Sequence, residues 1–240
     1  MESPANRILE KLTPPDLAKF MPLLTTVSIQ SREVLMEPDT EIEHVWFPLD
    51  CACSMIAVPD QDSAIEVGMF GREGMSNMVV RVGDRTFMRT QAFIAGRALR
   101  MDAKDFVAAL ASLPSLNEVT LRYKEAIVNQ LAFGSAANGA FTIEQRLARW
   151  ILMAFDRTPQ TDLPIVHDLM ASMLSVRRSG VTTALHVLEG TGAVKATRGL
   201  VTLRDRDKLI EIAGNGYGLC ETTYEFIMDY DPGQARTEHK

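Results

Sequence analysis

Adjacent arginines followed by small hydroxyl residues stand out in the segment "LMASMLSVRRSGVTTALHVLEG". Arg177 and Arg178 precede Ser179, and Thr182 and Thr183 follow within the next helical turn. A guanidinium group donates paired hydrogen bonds to a phosphate or to the edge of a guanine, and hydroxyl groups at a helix start also suit phosphates. These residue types at this spacing therefore predict a surface that binds a phosphate backbone.

The apolar residues around these arginines predict two short helices joined by a tight turn. Apolar side chains recur every three or four positions on both sides of the turn, so each helix has one face to bury. We expect these faces to pack against each other and against Trp150 and Ile151 of the preceding helix. The apolar positions are Met170, Met173 and Leu174 in the first helix, and Val181, Ala184, Leu185 and Leu188 in the second.

This arrangement is typical of a helix-turn-helix, whose second helix enters the major groove of double-stranded DNA. The next segment, "GAVKATRGLVTL", predicts a two-stranded hairpin that would place Lys195 and Arg198 over the DNA backbone as a wing. An ordinary helical hairpin with solvated arginines is the alternative at this point. The polar residues expected on the outer face of the second helix are Arg177, Arg178, Ser179, Thr182, Thr183 and His186.

The composition is that of an ordinary globular protein: of 240 residues, 46% are hydrophobic and 23% charged, with a net charge of −6. The charge is uneven, because residues 142–206 carry nine Lys and Arg against six Asp and Glu, whereas the flanking segments are acidic. Such a basic segment suits a confined phosphate-binding surface. The sequence shows neither a long apolar run nor a basic apolar leader, and its three cysteines are too few for a disulfide framework. It therefore predicts a cytoplasmic protein with no membrane span.

The first hundred residues have a different pattern from the rest. Between residues 26 and 101, short runs rich in Val, Ile, Phe and Thr are separated by turn-prone pairs, which predicts an antiparallel β-sandwich or barrel. From residue 114 to 140 a long stretch without internal proline predicts one helix, and Asn138-Gly139 predicts a hinge at its end. Thr142 and Gln145 then fit the capping box of a further helix.

The predicted long helix carries two stripes of apolar residues along its length. The second stripe consists of Leu121, Val128 and Leu131, and it predicts contact with a second copy of the chain. A single core helix buried on two sides is the alternative. The first stripe, expected to face the strand-rich domain, takes in positions 116, 119, 123, 126, 130, 133 and 137.

The order of these elements and three motifs resemble the Crp/Fnr family of bacterial transcription regulators. The motifs are "EVGMFGREGM" at 66–75, "EQRLARWIL" at 144–152 and "MASMLSVRRSGVTTALHVLEGTGAV" at 170–194. The resemblance implies a homodimer joined through the 114–138 helix, contact with RNA polymerase, and no enzymatic activity. It also implies an α+β fold with a cyclic-nucleotide-binding-like antiparallel jelly-roll over residues 1–112, a dimerisation helix and hinge over 113–139, and a winged helix-turn-helix with a C-terminal tail over 140–240.

The resemblance also implies roles for individual residues of the 177–189 helix, which would read a palindromic operator. Ser175 departs from the family pattern, because the turn usually has Gly there; Ser is tolerated if its φ is not positive. Ser179 stands where an acidic base-reading residue is common, so the operator cannot be copied from well-known relatives. The base-reading positions are Arg178, Ser179 and Thr183, and the phosphate-contacting positions are Arg177 and His167.

Members of the family that bind cyclic nucleotides use a Gly-Glu pair for the ribose and an Arg-Ser pair for the cyclic phosphate. The nearest match here is Glu73, followed sixteen residues later by Arg89 and Thr90. This spacing is longer than the family's, and Arg72 rather than Gly precedes Glu73. We therefore expect no cyclic nucleotide and no other cofactor, with a regulator gated by cyclic AMP as the alternative.

Other chemistries have little support in the sequence. Cys51 and Cys53 alternate on a predicted strand, which allows a thiol switch, although buried packing is the commoner role of such residues. Three cysteines fall short of an iron–sulfur site, and His44 is alone among the strands, so no metal is expected. A cupin-like enzyme lacks its His and carboxylate cluster, and no hydrolase, P-loop or dinucleotide motif occurs. A nucleotide-binding subunit that does not contact DNA would leave the basic helix and wing unexplained.

Overall fold

The computed structural model describes residues 6–60, 63–76 and 81–229. Residues 230–240 of the predicted tail lie outside this part. Two short helices, α1 (Arg7–Glu10) and α2 (Pro14–Phe20), open the chain, followed by a 3₁₀ turn at Met21–Leu23.

The first domain consists of antiparallel strands, as the sequence predicts. The strands order into sheets β1-β9-β4 and β2-β8-β5-β6, with β3-β7 as a short ribbon, and all their pairs are antiparallel. Phe47, Phe70 and Phe106 are completely buried in its core. The strands are β1 (Thr25–Ile29), β2 (Val34–Met36), β3 (Thr40–Glu41), β4 (His44–Pro48), β5 (Ala52–Asp60), β6 (Ser63–Phe70), β7 (Arg85–Thr86), β8 (Met88–Ile94) and β9 (Gly96–Asp102).

Helices α3 (Ala103–Ser112) and α4 (Pro114–Ala140) follow the strands. The hinge expected at Asn138-Gly139 stays a prediction; in the structure α4 continues through both residues and ends at Ala140. A side chain at Gly139 would meet nothing nearby, so the pair lies in an exposed last turn. Weak helix formers cost less there than in a helix interior, because the last turn of a helix frays.

The two stripes of α4 lie in different surroundings. Leu116, Val119, Tyr123, Ala126, Gln130 and Ala137 of the first stripe are buried, and Phe133 is half-buried. In the second stripe, Leu121 is 59% exposed and Val128 57% exposed, so one chain leaves this face of α4 uncovered. Leu131 does not share that exposure, because it packs partly against the core of the first domain.

The second domain contains the predicted helix pair and hairpin. The Thr142–Gln145 capping box is present at the start of α5. A short strand before the helix pair also pairs with the hairpin, which gives the strand order β10-β12-β11. The elements are α5 (Ile143–Asp156), β10 (Asp162–Leu163), α6 (His167–Leu174), α7 (Arg178–Gly190), β11 (Val194–Thr197), β12 (Leu200–Leu203), α8 (Arg206–Ala213), a 3₁₀ turn (Gly214–Gly216) and α9 (Leu219–Asp229).

The last helix, α9, packs against the first domain rather than extending as a tail. Met228 lies in the core of the first domain, and the hydroxyl of Tyr224 donates to the carbonyl oxygen of Glu73. Arg7 of α1 donates to Glu225 with an Nη1–Oε1 distance of 2.6 Å. Within the described part of the chain, no helix is both long and apolar enough to cross a bilayer.

Candidate nucleic-acid interface

The helix pair α6–α7 is held by the apolar residues that the sequence indicates. All seven predicted apolar positions of the pair are buried, and they share one core with Trp150 and Ile151 of α5. Gly180 allows α7 to approach α5 closely, because a Cβ there would lie 3.3 Å from Cδ1 of Ile143. This packing fixes which face of α7 remains open to solvent.

Three residues, 175–177, connect the two helices. Ser175 has φ 51° and ψ 48°, so the condition stated for tolerating Ser in this turn, a φ that is not positive, is not met. The left-handed conformation lets the N–H of Val176 bond to the carbonyl oxygen of Ala171 at 3.0 Å, which closes the end of α6. The tight connection therefore overrides the preference of a residue with a Cβ for negative φ.

The exposed start of α7 carries the arginine and hydroxyl groups. Arg177 is the N-cap residue of α7, in an extended conformation, and Arg178, Ser179 and Thr183 are exposed. Because the first N–H groups of a helix lack intrahelical partners, this end of α7 attracts phosphate and carries positive potential. The side chains predicted to read bases and the start of α7 therefore lie on one surface.

Thr182 departs from its predicted place on the outer face. It is half-buried, and its hydroxyl group lies 3.1 Å from Nδ1 of His167 and donates to the carbonyl oxygen of Arg178. His167 begins α6, so this contact joins the first turns of both helices. Arg178 also reaches across to Asp168, with Nε and Oδ1 separated by 3.3 Å. Thr182 thus positions its neighbours within the helix pair.

The wing is formed as predicted by β11 and β12. Its two-residue loop is Arg198-Gly199, and Gly199 has φ 77°, a value that favours glycine. Lys195 and Arg198 are exposed. The wing therefore adds two cations to the domain that carries the start of α7.

The candidate effector-binding residues, Glu73, Arg89 and Thr90, have different surroundings. The carboxylate of Glu73 accepts hydrogen bonds from the N–H of Gly71. It also forms a buried ion pair, at 2.9 Å, with Nε of Arg157, the residue that follows α5 in the second domain. Nε of Arg89 pairs instead with Glu37 at 2.9 Å, and Thr90 is completely buried. The Glu73 carboxylate is thus occupied by an interdomain contact, not held open for a ribose.

The two candidate redox residues are both buried and unpaired by disulfide. A hydrogen bond with Cys51, together with burial, holds the pKa of the Cys53 thiol well above its ordinary value. A high pKa keeps the thiol protonated and unreactive, which favours a packing role for both residues. In the described part of the chain, no cluster of three His, Cys, Asp or Glu side chains is placed to hold a metal ion.

Sequence reasoning missed the polar contacts between the two domains. Nε1 of Trp150 donates to Oε1 of Glu66 at 2.7 Å, and Ser54 donates to the other carboxylate oxygen of Glu66. Burial raises the pKa of Glu66 to about 7. Glu66 and Trp150 lie 84 positions apart in the chain. Both fall within motifs that resemble the Crp/Fnr family, but that signal does not say that they touch.

The second domain matches a known family model. Residues 145–212 match the model of the Crp-like helix-turn-helix domain, a span that runs from α5 into α8 and includes the helix pair and the wing. This part of the chain is similar to a Crp-like helix-turn-helix domain. No curated protein sequence matches the chain.

Solved structures share the fold of most of the chain, with coverages of 80% to 89%. FixK2 from Bradyrhizobium japonicum is 14% identical with a TM-score of 0.67, covering 80% of this chain and 98% of its own. A putative Crp/Fnr-family transcriptional regulator from Eubacterium rectale is 13% identical with a TM-score of 0.65, covering 87% and 98%. A putative cAMP-binding regulatory protein from Silicibacter pomeroyi is 17% identical with a TM-score of 0.60, covering 89% and 97%. These similarities confirm the predicted fold class.

Proposed function

We propose that the protein is a homodimeric, sequence-specific DNA-binding transcription regulator that reads a palindromic operator with α7. The observation that carries the proposal is the exposed start of α7 within a Crp-like helix-turn-helix domain. Arg178, Ser179 and Thr183 are solvent-accessible there, while the opposite face of the helix is buried against α5 and α6. A recognition helix needs this division between a packed face and a free polar face.

Individual side chains have distinct roles in this proposal. Arg178 leaves its exposed pairing with Asp168 and donates two hydrogen bonds to a guanine, while Ser179 and Thr183 contact neighbouring bases. Arg177, His167, Lys195 and Arg198 contact phosphates and fix the register of the domain on the duplex. Breaking the Arg178–Asp168 pair costs little, because both side chains are mostly exposed.

Dimerisation is part of the same proposal. Leu121 and Val128 are seven residues apart on α4, which places them on the same face of the helix, and both are more than half exposed in the single chain. A second copy of α4 would cover this apolar strip. The two copies of α7 would then reach successive major grooves, which are about 34–36 Å apart.

The proposal does not include a cyclic nucleotide, another cofactor or a catalytic reaction. The ion pairs Glu73–Arg157 and Glu37–Arg89 occupy the groups that a cyclic nucleotide would need. Contact with RNA polymerase depends on the resemblance to Crp/Fnr regulators alone. A protein that binds chromosomal DNA acts in the cytoplasm of a bacterium, which is the location we propose.

Selection of DNA from a random-sequence library by the full-length protein tests this function. We expect an enriched motif with two symmetric half-sites whose centres lie about 10–10.5 base pairs apart, or a multiple of that spacing. Recovery of unenriched sequences would contradict sequence-specific recognition.

The dimer is tested separately by sedimentation of the Leu121→Glu variant. A carboxylate in the apolar strip should convert the dimer to a monomer, because a charge buried at the interface lacks a partner. Leu23→Glu is the matched control, since Leu23 is 44% exposed and lies outside α4. Equal sedimentation of wild type and Leu121→Glu would contradict an interface on this face of α4.

A further inference from the structure

Helix α9 follows the second domain in the chain but packs with the first domain. The match to the Crp-like helix-turn-helix model ends at residue 212, and α9 begins later, at Leu219. Met228 and Tyr224 of α9 pack into the core of the first domain, where α9 lies against α4. The helix therefore connects the two domains and lies outside the part of the chain that resembles a helix-turn-helix domain.

Charged side chains at α1 hold α9 against the first domain. Nη1 and Nη2 of Arg7 donate to the two carboxylate oxygens of Glu225, with an Nη1–Oε1 distance of 2.6 Å. The guanidinium carbon of Arg7 also lies 5.2 Å from the centre of the Tyr224 ring. One helical turn further along each helix, Lys11 pairs with Asp229. Because a bidentate pair fixes direction as well as distance, Arg7 determines where α9 lies.

A glycine-rich segment joins α8 to α9. Residues 214–218 read Gly-Asn-Gly-Tyr-Gly, and Gly214 and Gly218 have φ of 53° and 106°, values that favour glycine. Tyr217 attaches this segment to the second domain, because its hydroxyl group donates to Oδ2 of Asp156, the last residue of α5, at 2.7 Å. The chain from 214 to 229 is therefore fixed to the second domain at one end and to the first domain at the other.

Glu73 of the first domain contacts both α9 and the end of α5. Its carbonyl oxygen accepts from the hydroxyl group of Tyr224, and its carboxylate forms the buried ion pair with Arg157. Two separate attachments restrict rotation of one domain against the other, which a single contact would allow. In this arrangement the start of α7 is open to solvent, since the side chain of Arg178 is 67% exposed.

We propose that residues 214–229 form an interdomain strap, which fixes the orientation of the helix-turn-helix relative to the first domain. Release of α9 lowers the affinity of the dimer for its palindromic operator. In a dimer joined through α4, a fixed orientation holds both copies of α7 ready for the two half-sites, so less freedom is lost on binding. The effect on DNA rests on the proposed function, whereas the docking of α9 does not.

Amide hydrogen exchange of the full-length protein measures the docking of α9 without DNA. Arg7→Glu places two carboxylates together, so the amides of α9 should exchange about three- to tenfold faster than in the wild type. Glu225→Arg should have the same effect, because it places two guanidinium groups together. The double variant restores a pair of opposite charges and should recover most of the protection. Exchange in α5 should change much less, because the core of the second domain stays folded.

The matched control is Arg85→Glu, which reverses an arginine paired with Asp39 within the first domain, at an Nε–Oδ1 distance of 2.9 Å. It should leave the exchange of α9 unchanged. Three results would each overturn the strap: unchanged exchange of α9 in both single variants, an equal acceleration in Arg85→Glu, or a double variant that recovers no protection.

Binding of the same variants to a palindromic operator and to a single half-site tests the consequence for DNA. Arg7→Glu should weaken binding to the operator about tenfold and binding to the half-site much less, because one helix-turn-helix needs no fixed partner. The double variant should recover the operator affinity, and Arg85→Glu should keep it. Equal operator affinity of the wild type and Arg7→Glu would overturn the coupling. No binding of the wild type to any duplex would instead contradict the proposed function, and the exchange measurement distinguishes the two because it uses no DNA.

Discussion

Two arginine–hydroxyl pairs in this chain occupy contrasting environments. Arg178-Ser179 begins α7, and the side chain of Arg178 is 67% exposed. Arg89-Thr90 lies in the middle of β8, where Arg89 is 33% exposed beside Glu37 and Thr90 is completely buried. A helix start leaves successive side chains and N–H groups accessible together, whereas a strand sends neighbouring side chains to opposite faces. The same residue types therefore form an exposed surface at a helix start in one place and a structural contact within a sheet in the other.

The largest effect is expected from Arg178→Ala, measured on the selected operator and on a scrambled duplex. Loss of a bidentate contact with guanine should cost about 1–3 kcal/mol of discrimination between the two duplexes. Binding to the scrambled duplex should weaken much less, because phosphate contacts remain. Equal weakening on both duplexes would contradict base reading by Arg178.

The Glu66→Gln variant tests the contact between the first and second domains. The pKa of Glu66 is about 7 in the folded chain, against 4.5 as its ordinary value, with burial as the main cause. Between about pH 4.5 and pH 7 the folded chain keeps a proton on Glu66 that the unfolded chain has released. The free energy of unfolding therefore falls as pH rises toward 7 and is constant above it. The side-chain amide of glutamine does not ionise, so the variant avoids this loss of stability. The Glu66→Gln variant should therefore gain about 2 kcal/mol in the free energy of unfolding at about pH 8 and little at about pH 4.

Urea unfolding at both pH values measures this difference. Ser54, Trp150, Arg157 and Arg149 act against burial, because each of them favours the ionised form of the Glu66 carboxyl. Glu43→Gln is the control, because Glu43 is exposed, and its substitution should change stability little at either pH. A gain for Glu66→Gln that is the same at both pH values would show that ionisation of Glu66 is not involved.

Ser175→Gly examines the turn that places α7. A residue with a Cβ at positive φ is strained by about 1–2 kcal/mol, and glycine relieves this but loses more conformational entropy on folding. A net gain of about 0.5–1 kcal/mol in the free energy of unfolding is expected. Ser175→Ala keeps the Cβ and should show no such gain in chemical denaturation. A gain of the same size for the alanine variant would contradict strain at this position.

The smallest effect should come from Arg89→Ala, which removes the arginine of the Arg89-Thr90 pair. Its ion pair with Glu37 is partly exposed, so its loss should cost less than about 1 kcal/mol of stability. Operator affinity should not change. Calorimetric titration of the wild type with cyclic AMP should give no binding heat; saturable binding that Arg89→Ala abolishes would reinstate the nucleotide-gated alternative.

Features set by neighbouring residues could be predicted from the sequence. The strands, the Thr142–Gln145 capping box, the buried positions of α6 and α7, and the wing all follow local periodicity or turn chemistry. The positive φ of Ser175 could not be predicted, because it results from the geometry that two packed helices impose on their connection. Glycine at that position in relatives was the only signal.

Contacts between distant parts of the chain were also outside the reach of sequence reasoning. The Glu73–Arg157 and Glu66–Trp150 contacts, and the packing of α9 against the first domain, depend on how two separately folded regions meet. A charged residue in a helix or strand pattern is expected to be solvent-exposed unless its partner is known. The candidate DNA-binding residues could be found because they lie together in one short segment, whereas the residues of the domain junction are far apart in the sequence.

Titration of the full-length protein with the selected operator and a scrambled duplex, over a series of salt concentrations, tests the central claim most directly. We expect binding to the operator at least about 10³-fold tighter than to the scrambled duplex, with the affinity for both falling steeply as salt rises. Equal affinity for the two duplexes at every salt concentration, or no binding to either, would contradict a sequence-specific regulator that reads DNA with α7.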